Sequence, residues 1–140
     1  MARDKKIELL SQVPLFRACT DKELKRIAAI AETVQIGEGE VLTKEGAPGR
    51  EFYVIAEGKA SVTLRGDELA ELGSGDFFGE MALLDESPRA ATVTAITPMR
   101  AYVVASQDFT TLIEDVPIVA RQILKGIAQR LREMAQAPSY

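Results

Sequence analysis

The chain has 140 residues, 46% of them apolar, and its 21 acidic against 17 basic residues give a formal net charge of -4. That length suits one domain with a sizeable core, and the acidic balance speaks against non-specific nucleic-acid binding. No histidine and a single cysteine are present, which removes His-dependent catalytic triads, the usual zinc sites and an internal disulfide.

In chain order, residues 3–11 read as a short helix that turns Ile7, Leu9 and Leu10 inward, ended by Val13-Pro14-Leu15-Phe16. The N-terminus is charged with no apolar core behind it, and no apolar run approaches a membrane span, so a cytoplasmic protein without membrane contact is expected. Cys19 has no histidine to act as its base and reads as a half-buried core residue. Thr20-Asp21-Lys22-Glu23 forms a capping box and opens a helix to about Ala31, with Leu24, Ile27, Ala28 and Ile30 on one stripe.

From Thr33 the hydrophobic period changes to that of short strands. Residues 34–36, 41–44, 52–56, 59–64 and 68–72 are candidates, and Ala60, Val62 and Leu64 alternate with Ser61, Thr63 and Arg65 as in a strand with one buried face. Glu57-Gly58 and Arg65-Gly66-Asp67 are read as tight hairpin turns, and residues 91–97 and 99–105 as a further hairpin broken at Pro98. Seven or eight short antiparallel strands suit a small jelly-roll barrel, a mostly β fold with flanking helices. The expected division is one domain over residues 1–135: helices to 32, barrel over 33–105, C-terminal helices over 106–135. Gln136 to Tyr140 is expected to fray.

Between the strands, Phe78 to Val93 has the makings of an anion cradle. Gly79 permits a sharp turn and close approach of a ligand, and Met81 to Leu84 is a run of good helix formers whose first amides lack acceptors. Pro88 fixes the backbone before Arg89, whose planar fork of donors suits a phosphate. Glu80 stands beside them.

The chain closes with a helix that carries Phe109, Leu112 and Ile113 and a second one from Pro117 to about Met134. In the second, Ala120, Leu124, Ile127, Leu131 and Met134 have the spacing of a coiled-coil seam; they either join two copies or pack on the barrel. Gly126 can mark a bend.

Phe78-Gly79-Glu80-Met81-Ala82-Leu83-Leu84, followed by Pro88-Arg89-Ala90-Ala91-Thr92-Val93, closely resembles the phosphate-binding cassette of cyclic nucleotide-binding domains, as in cAMP-dependent protein kinase regulatory subunits and catabolite activator-type sensors. Gly46-Ala47-Pro48-Gly49, Phe52-Tyr53-Val54-Ile55 and Gly58 are similar to the glycine-bounded β region upstream in that family. The likeness runs from about Val13 to Met134. Thr43 departs from it, standing where the family usually has an aliphatic residue, which bears on packing at one strand.

The resemblance implies a ligand site of Gly79, Glu80, Met81, Ala82, Arg89, Ala90 and Ala91. In it Glu80 would accept the ribose 2′-hydroxyl, Arg89 would pair with the cyclic phosphate, and the amides of Gly79, Ala82, Ala90 and Ala91 would line the sugar-phosphate. Ala90 stands where cGMP-preferring members tend to carry a threonine, which points to cAMP over cGMP. Ile127, Arg130, Leu131 and Tyr140 are candidates to cap the base. No cofactor, metal or catalytic residue is expected. The expected partners are a cyclic nucleotide, an unknown protein effector and a second copy through the last helix; no DNA-binding domain is expected in this chain. The alternatives are a dimerisation module of the same fold that needs no nucleotide, and the sensor part of a longer transcription regulator, channel or enzyme.

Overall fold

The computed structural model describes residues 4–135. Two helices, α1 (Lys5–Gln12) and α2 (Asp21–Ile30), precede eight strands. These are β1 (Glu32–Ile36), β2 (Val41–Thr43), β3 (Glu51–Glu57), β4 (Ala60–Leu64), β5 (Asp67–Leu72), β6 (Phe77–Phe78), β7 (Thr92–Ala95) and β8 (Met99–Ala105). A short α3 (Glu80–Asp85) interrupts them between β6 and β7, and α4 (Ser106–Asp115) and α5 (Pro117–Ala135) follow. The strand region thus begins one residue earlier than expected, at Glu32.

The strands form two antiparallel four-stranded sheets, ordered β1-β8-β3-β6 and β2-β7-β4-β5. This order corrects two expectations. Glu57-Gly58 does not close a hairpin, because β3 and β4 lie in different sheets, and β7 and β8 are separated in the same way. Both links are crossovers that brace each other: the Ile96 amide donates to the Lys59 carbonyl over 3.0 Å, and the Lys59 amide donates to the Thr97 hydroxyl over 2.9 Å. Arg65-Gly66 does close a hairpin, between β4 and β5, with φ of 51° and 86°. Positive φ at both central residues is what a two-residue turn matching the strand twist requires.

β3 shows why the sheets stack as they do. Its Phe52, Tyr53, Val54, Ile55 and Ala56 are all buried, and alternate residues serve two cores. Phe52, Val54 and Ala56 face the helices, where Phe52 meets the rings of Phe16 at 6.2 Å and Phe109 at 5.1 Å. Tyr53 and Ile55 face the interior between the sheets, with Ile36, Phe78, Val93 and Met99.

The helix caps follow the sequence. Thr20 and Glu23 make the reciprocal capping box, and Pro117 occupies the first position of α5. Cys19 is half-buried, and burial first, with Glu23 second, pushes its thiol up to about 11. In α5 the residues packed on the helical core are Val119 and Ile123, with Ile127 partly buried beside them. Leu124 and Leu131 are 67% and 60% exposed, so the coiled-coil stripe is divided, with Ile127 against the core and these two leucines in solvent. The helix runs unbroken through Gly126. Tyr140 and the rest of residues 136–140 lie outside the described residues.

Candidate functional site

β6 delivers the chain to the site. Its two residues pair with β3, so Phe77 meets Phe52 on the helical side and Phe78 stacks on Tyr53 at 4.7 Å on the interior side. Gly79 follows at φ 98° as the N-cap of α3, and Glu80, Met81 and Ala82 are that helix's first turn. The first amides of a helix have no intrahelical acceptor.

Arg89 is fixed against this turn. Its guanidinium donates from Nη1 to the Gly79 carbonyl over 2.8 Å and from Nη2 to the Glu51 carbonyl over 2.6 Å. Those bonds use two of the guanidinium's five N–H donors. The backbone of Arg89 is held as well, since its amide donates to the Ala47 carbonyl and its own carbonyl accepts from the Gly46 amide, each over 2.8 Å. Two glycines make room for the side chain. A Cβ on Gly79 would lie 2.7 Å from Arg89 Nη1, and one on Gly49 would lie 2.5 Å from Ala82 Cβ and 3.3 Å from Arg89 Cζ.

Glu80 and Arg89 are each only 7% exposed. Burial draws the Arg89 guanidinium below its ordinary value, while Tyr53, Glu51 and Glu80 act in the opposite direction. Arginine keeps its charge in proteins, so the site holds a buried cation beside a buried carboxyl group.

Both residues line one cavity of about 290 Å³. Its floor is the inner face of the second sheet, where Thr43, Val93 and Val62 stand in one cross-strand row. Gly79, Glu80, Ala82, Arg89, Ala90 and Ala91 all border it. The cassette residues expected from sequence are therefore gathered around a single space; Met81 is the second residue of α3. Such a volume is near the lower end for small-molecule pockets, at ~300 Å³.

Of the base-capping candidates, Ile127 and Leu131 do not line that cavity. Among the described residues, none of its lining comes from α5. Ile127 instead lines a crevice of about 30 Å³ with Leu15, Phe77, Glu80, Gln122, Ile123 and Gly126. Glu80 is common to both spaces. Leu131 lies farther along α5 and is exposed, and Arg130 precedes it on the same helix.

Sequence reasoning missed several contributors. Glu51 acts through its carbonyl, which any residue possesses, so no side-chain signal marks it. Val62 and Leu72 line the cavity; the alternation around Val62 marks only a buried strand face, and Leu72 stands only as the end of a candidate strand. Thr43, the departure from the family pattern, is buried with its hydroxyl donating to the Ala91 carbonyl over 3.2 Å. That bond satisfies the polar group within the packing of β2.

Comparison with known proteins agrees with this geometry. The family model described as cyclic nucleotide-binding domain matches residues 33–116. The chain is similar to a cAMP-dependent protein kinase regulatory subunit of Dictyostelium discoideum, at 34% identity over 94% of this chain and 43% of that one. The fold is similar to the Thermus thermophilus catabolite activator protein, with a TM-score of 0.81 and 31% identity over 88% of this chain and 60% of that one. It is also similar to the regulatory domain of Toxoplasma gondii PKA in co-crystal with cAMP, with a TM-score of 0.77 and 25% identity over 89% and 49% of the two chains. The chain spans between 27% and 43% of the length of the curated relatives it matches. With its two-sheet barrel, its glycine-supported arginine and a family match over more than half its length, this chain belongs to the cyclic nucleotide-binding domain family.

Proposed function

We propose that the chain is a regulatory module that binds cAMP and reports its occupancy through α5. The observation that carries this reading is the cavity on which a buried Arg89, braced by two carbonyls, and a buried Glu80 converge. In this reading Arg89 takes the cyclic phosphate, because a guanidinium gives a phosphate charge-assisted bonds that a carboxylate cannot. Glu80 takes the ribose 2′-hydroxyl. The amides of Gly79, Ala82, Ala90 and Ala91 line the sugar-phosphate, and Met81 completes the turn that presents them.

Adenine is favoured over guanine because Ala90, exposed at the cavity, offers no hydroxyl to the guanine amino group. Relatives named as cAMP-dependent kinase regulatory subunits support the same choice. Of the capping candidates, Ile127 has the strongest support, since it shares a crevice with Glu80. A ligand can move α5 only by as much as it binds the capped arrangement better than the open one. The exposed Leu124 and Leu131 are the side of α5 that a second copy or an effector would meet. No catalytic step is assigned, and the chain contains no histidine to support one. Among the described residues no helix is long and apolar enough to cross a membrane.

Titration calorimetry with cAMP, cGMP and cyclic di-GMP tests the reading. The expected outcome is tightest binding of cAMP, lost by about 10² to 10⁴ in Arg89→Ala as the buried phosphate loses its charged donors. Heat from none of the three, or unchanged cAMP binding by Arg89→Ala, refutes it.

A further inference from the structure

We infer that the seam between β1 and β2, away from the nucleotide cavity, is a docking groove for an extended cationic polypeptide segment with an apolar anchor. β1 and β2 are consecutive strands, yet each is the edge of a different sheet. Where the sheets part, a cleft of about 230 Å³ opens between them. Its β1 wall is Glu32, Val34 and Ile36, alternate residues that share one face of the strand. Across the sheet Glu32 stands opposite Val103, and Val103 opposite Tyr53. Ile36 and Tyr53 belong to the core between the sheets, so this cleft is that core reaching the surface without a strand to cover it. At its lip Val41 is 53% exposed.

Charge decides what fits. The cleft carries the carboxylates of Glu32, Glu40 and Glu51 and no lysine or arginine. Among the described residues the carboxylates of Glu32 and Glu40 make no ion pair, whereas that of Glu51 acts on Arg89 and Tyr53. The charged residues that line the cleft are all acidic, so it repels an acidic occupant and attracts a basic one. The adjoining cleft shares Val41, Leu42 and Glu51 but contains Lys44, Arg50 and Arg89, which confines the cationic part of the occupant to the Glu32 and Glu40 end. β1 pairs only with β8, and its free edge offers the amides and carbonyls that an added strand uses. An extended segment whose cleft-facing residues, every second one, are a lysine at the Glu32 end followed by valines along Val34 and Ile36 meets these features, because alternate side chains of a strand share one face.

The test is fluorescence anisotropy of the full chain with a labelled extended peptide whose every second residue is in turn lysine, valine and valine, with threonine between them, against the same peptide with glutamate in place of lysine, at physiological ionic strength. The lysine peptide is expected to bind saturably and the glutamate peptide not to bind. Glu32→Gln with Glu40→Gln should weaken binding about tenfold, and Val41→Ser about threefold. Glu68→Gln with Glu71→Gln removes the same charge from exposed β5 and should leave binding unchanged. Equal losses in the two double variants would reduce the effect to unspecific charge attraction and overturn the proposal. So would the absence of saturable binding, or self-association of the chain in sedimentation that Glu32→Gln with Glu40→Gln abolishes, since a second copy would then fill the groove.

Discussion

Alanine at Gly79 should be far more damaging than alanine at Gly46, although both glycines have positive φ, 98° and 82°. The backbone penalty for an L-residue in that region is ~1–2 kcal/mol and applies at both positions. At Gly46 nothing lies within 4 Å of the added Cβ, so the penalty ends there. At Gly79 the Cβ would lie 2.7 Å from Arg89 Nη1 and 2.8 Å from the Glu51 carbonyl oxygen, closer than real contacts allow. The guanidinium must then give up one of its bonds to the Gly79 and Glu51 carbonyls. A hydrogen bond to a charged group contributes ~1.5–3 kcal/mol, so losing one brings the cost of Gly79→Ala to ~3–5 kcal/mol. At ~3–5 °C per kcal/mol for a chain of this size, Tm should fall by roughly 5 °C for Gly46→Ala and roughly 10–20 °C for Gly79→Ala. Thermal and urea unfolding measure the difference, and cAMP calorimetry should show binding kept by Gly46→Ala and lost by Gly79→Ala. Equal stability losses in the two variants would mean that Gly79 serves only its own backbone and does not make room for Arg89.

Three further outcomes are expected. Ala90→Thr should raise affinity for cGMP relative to cAMP by about tenfold, the scale of one added hydrogen bond; an unchanged ratio in calorimetry removes Ala90 from base selection. Thr43→Val should lower stability by ~1 kcal/mol in urea unfolding, because the Ala91 carbonyl loses its donor; a rise in stability would show that the hydroxyl does not hold β2. Cys19 has its thiol raised to about 11 from 9.0, so the folded chain keeps a proton that the unfolded chain releases above about 9. Its contribution to stability is complete below pH 9 and is lost as pH rises towards 11. Thiol labelling of the folded chain should accelerate only near the upper value, and labelling that levels off near pH 9 refutes the burial.

What was legible in the sequence was whatever depends on neighbours along the chain. The capping box at Thr20 and Glu23, the turn at Arg65-Gly66 and the order Gly79, Glu80, Pro88, Arg89 are local patterns whose physics is complete within a few residues. Strand pairing is not local. Glu57-Gly58 and Pro98 looked like hairpin turns because glycine and proline mark turns of every kind, while the choice between a hairpin and a crossover rests on which sheet each strand completes. β6 was invisible for a related reason: two residues carry no period, and Phe77-Phe78 becomes a strand only because β3 lies beside it. The partners of Arg89 were hidden in a third way. Carbonyls at positions 51 and 79 accept its donors, and carbonyls have no signature in a list of side chains.

Glu80 connects the two parts of the proposed function more tightly than sequence spacing could suggest. It borders the nucleotide cavity on one side and, on the other, the crevice formed with Gln122, Ile123, Gly126 and Ile127 of α5. A ligand hydroxyl drawn to Glu80 therefore acts on a side chain that is also a wall for α5, with no intervening relay. The same helix presents Val119 and Ile123 to the core and Leu124 and Leu131 to solvent. Because a helix moves as a unit, any displacement of its Ile123 and Ile127 side at Glu80 also displaces its Leu124 and Leu131 side. In the proposed function, nucleotide sensing and association through α5 would thus be two faces of one element, and a ligand that displaced α5 would change both.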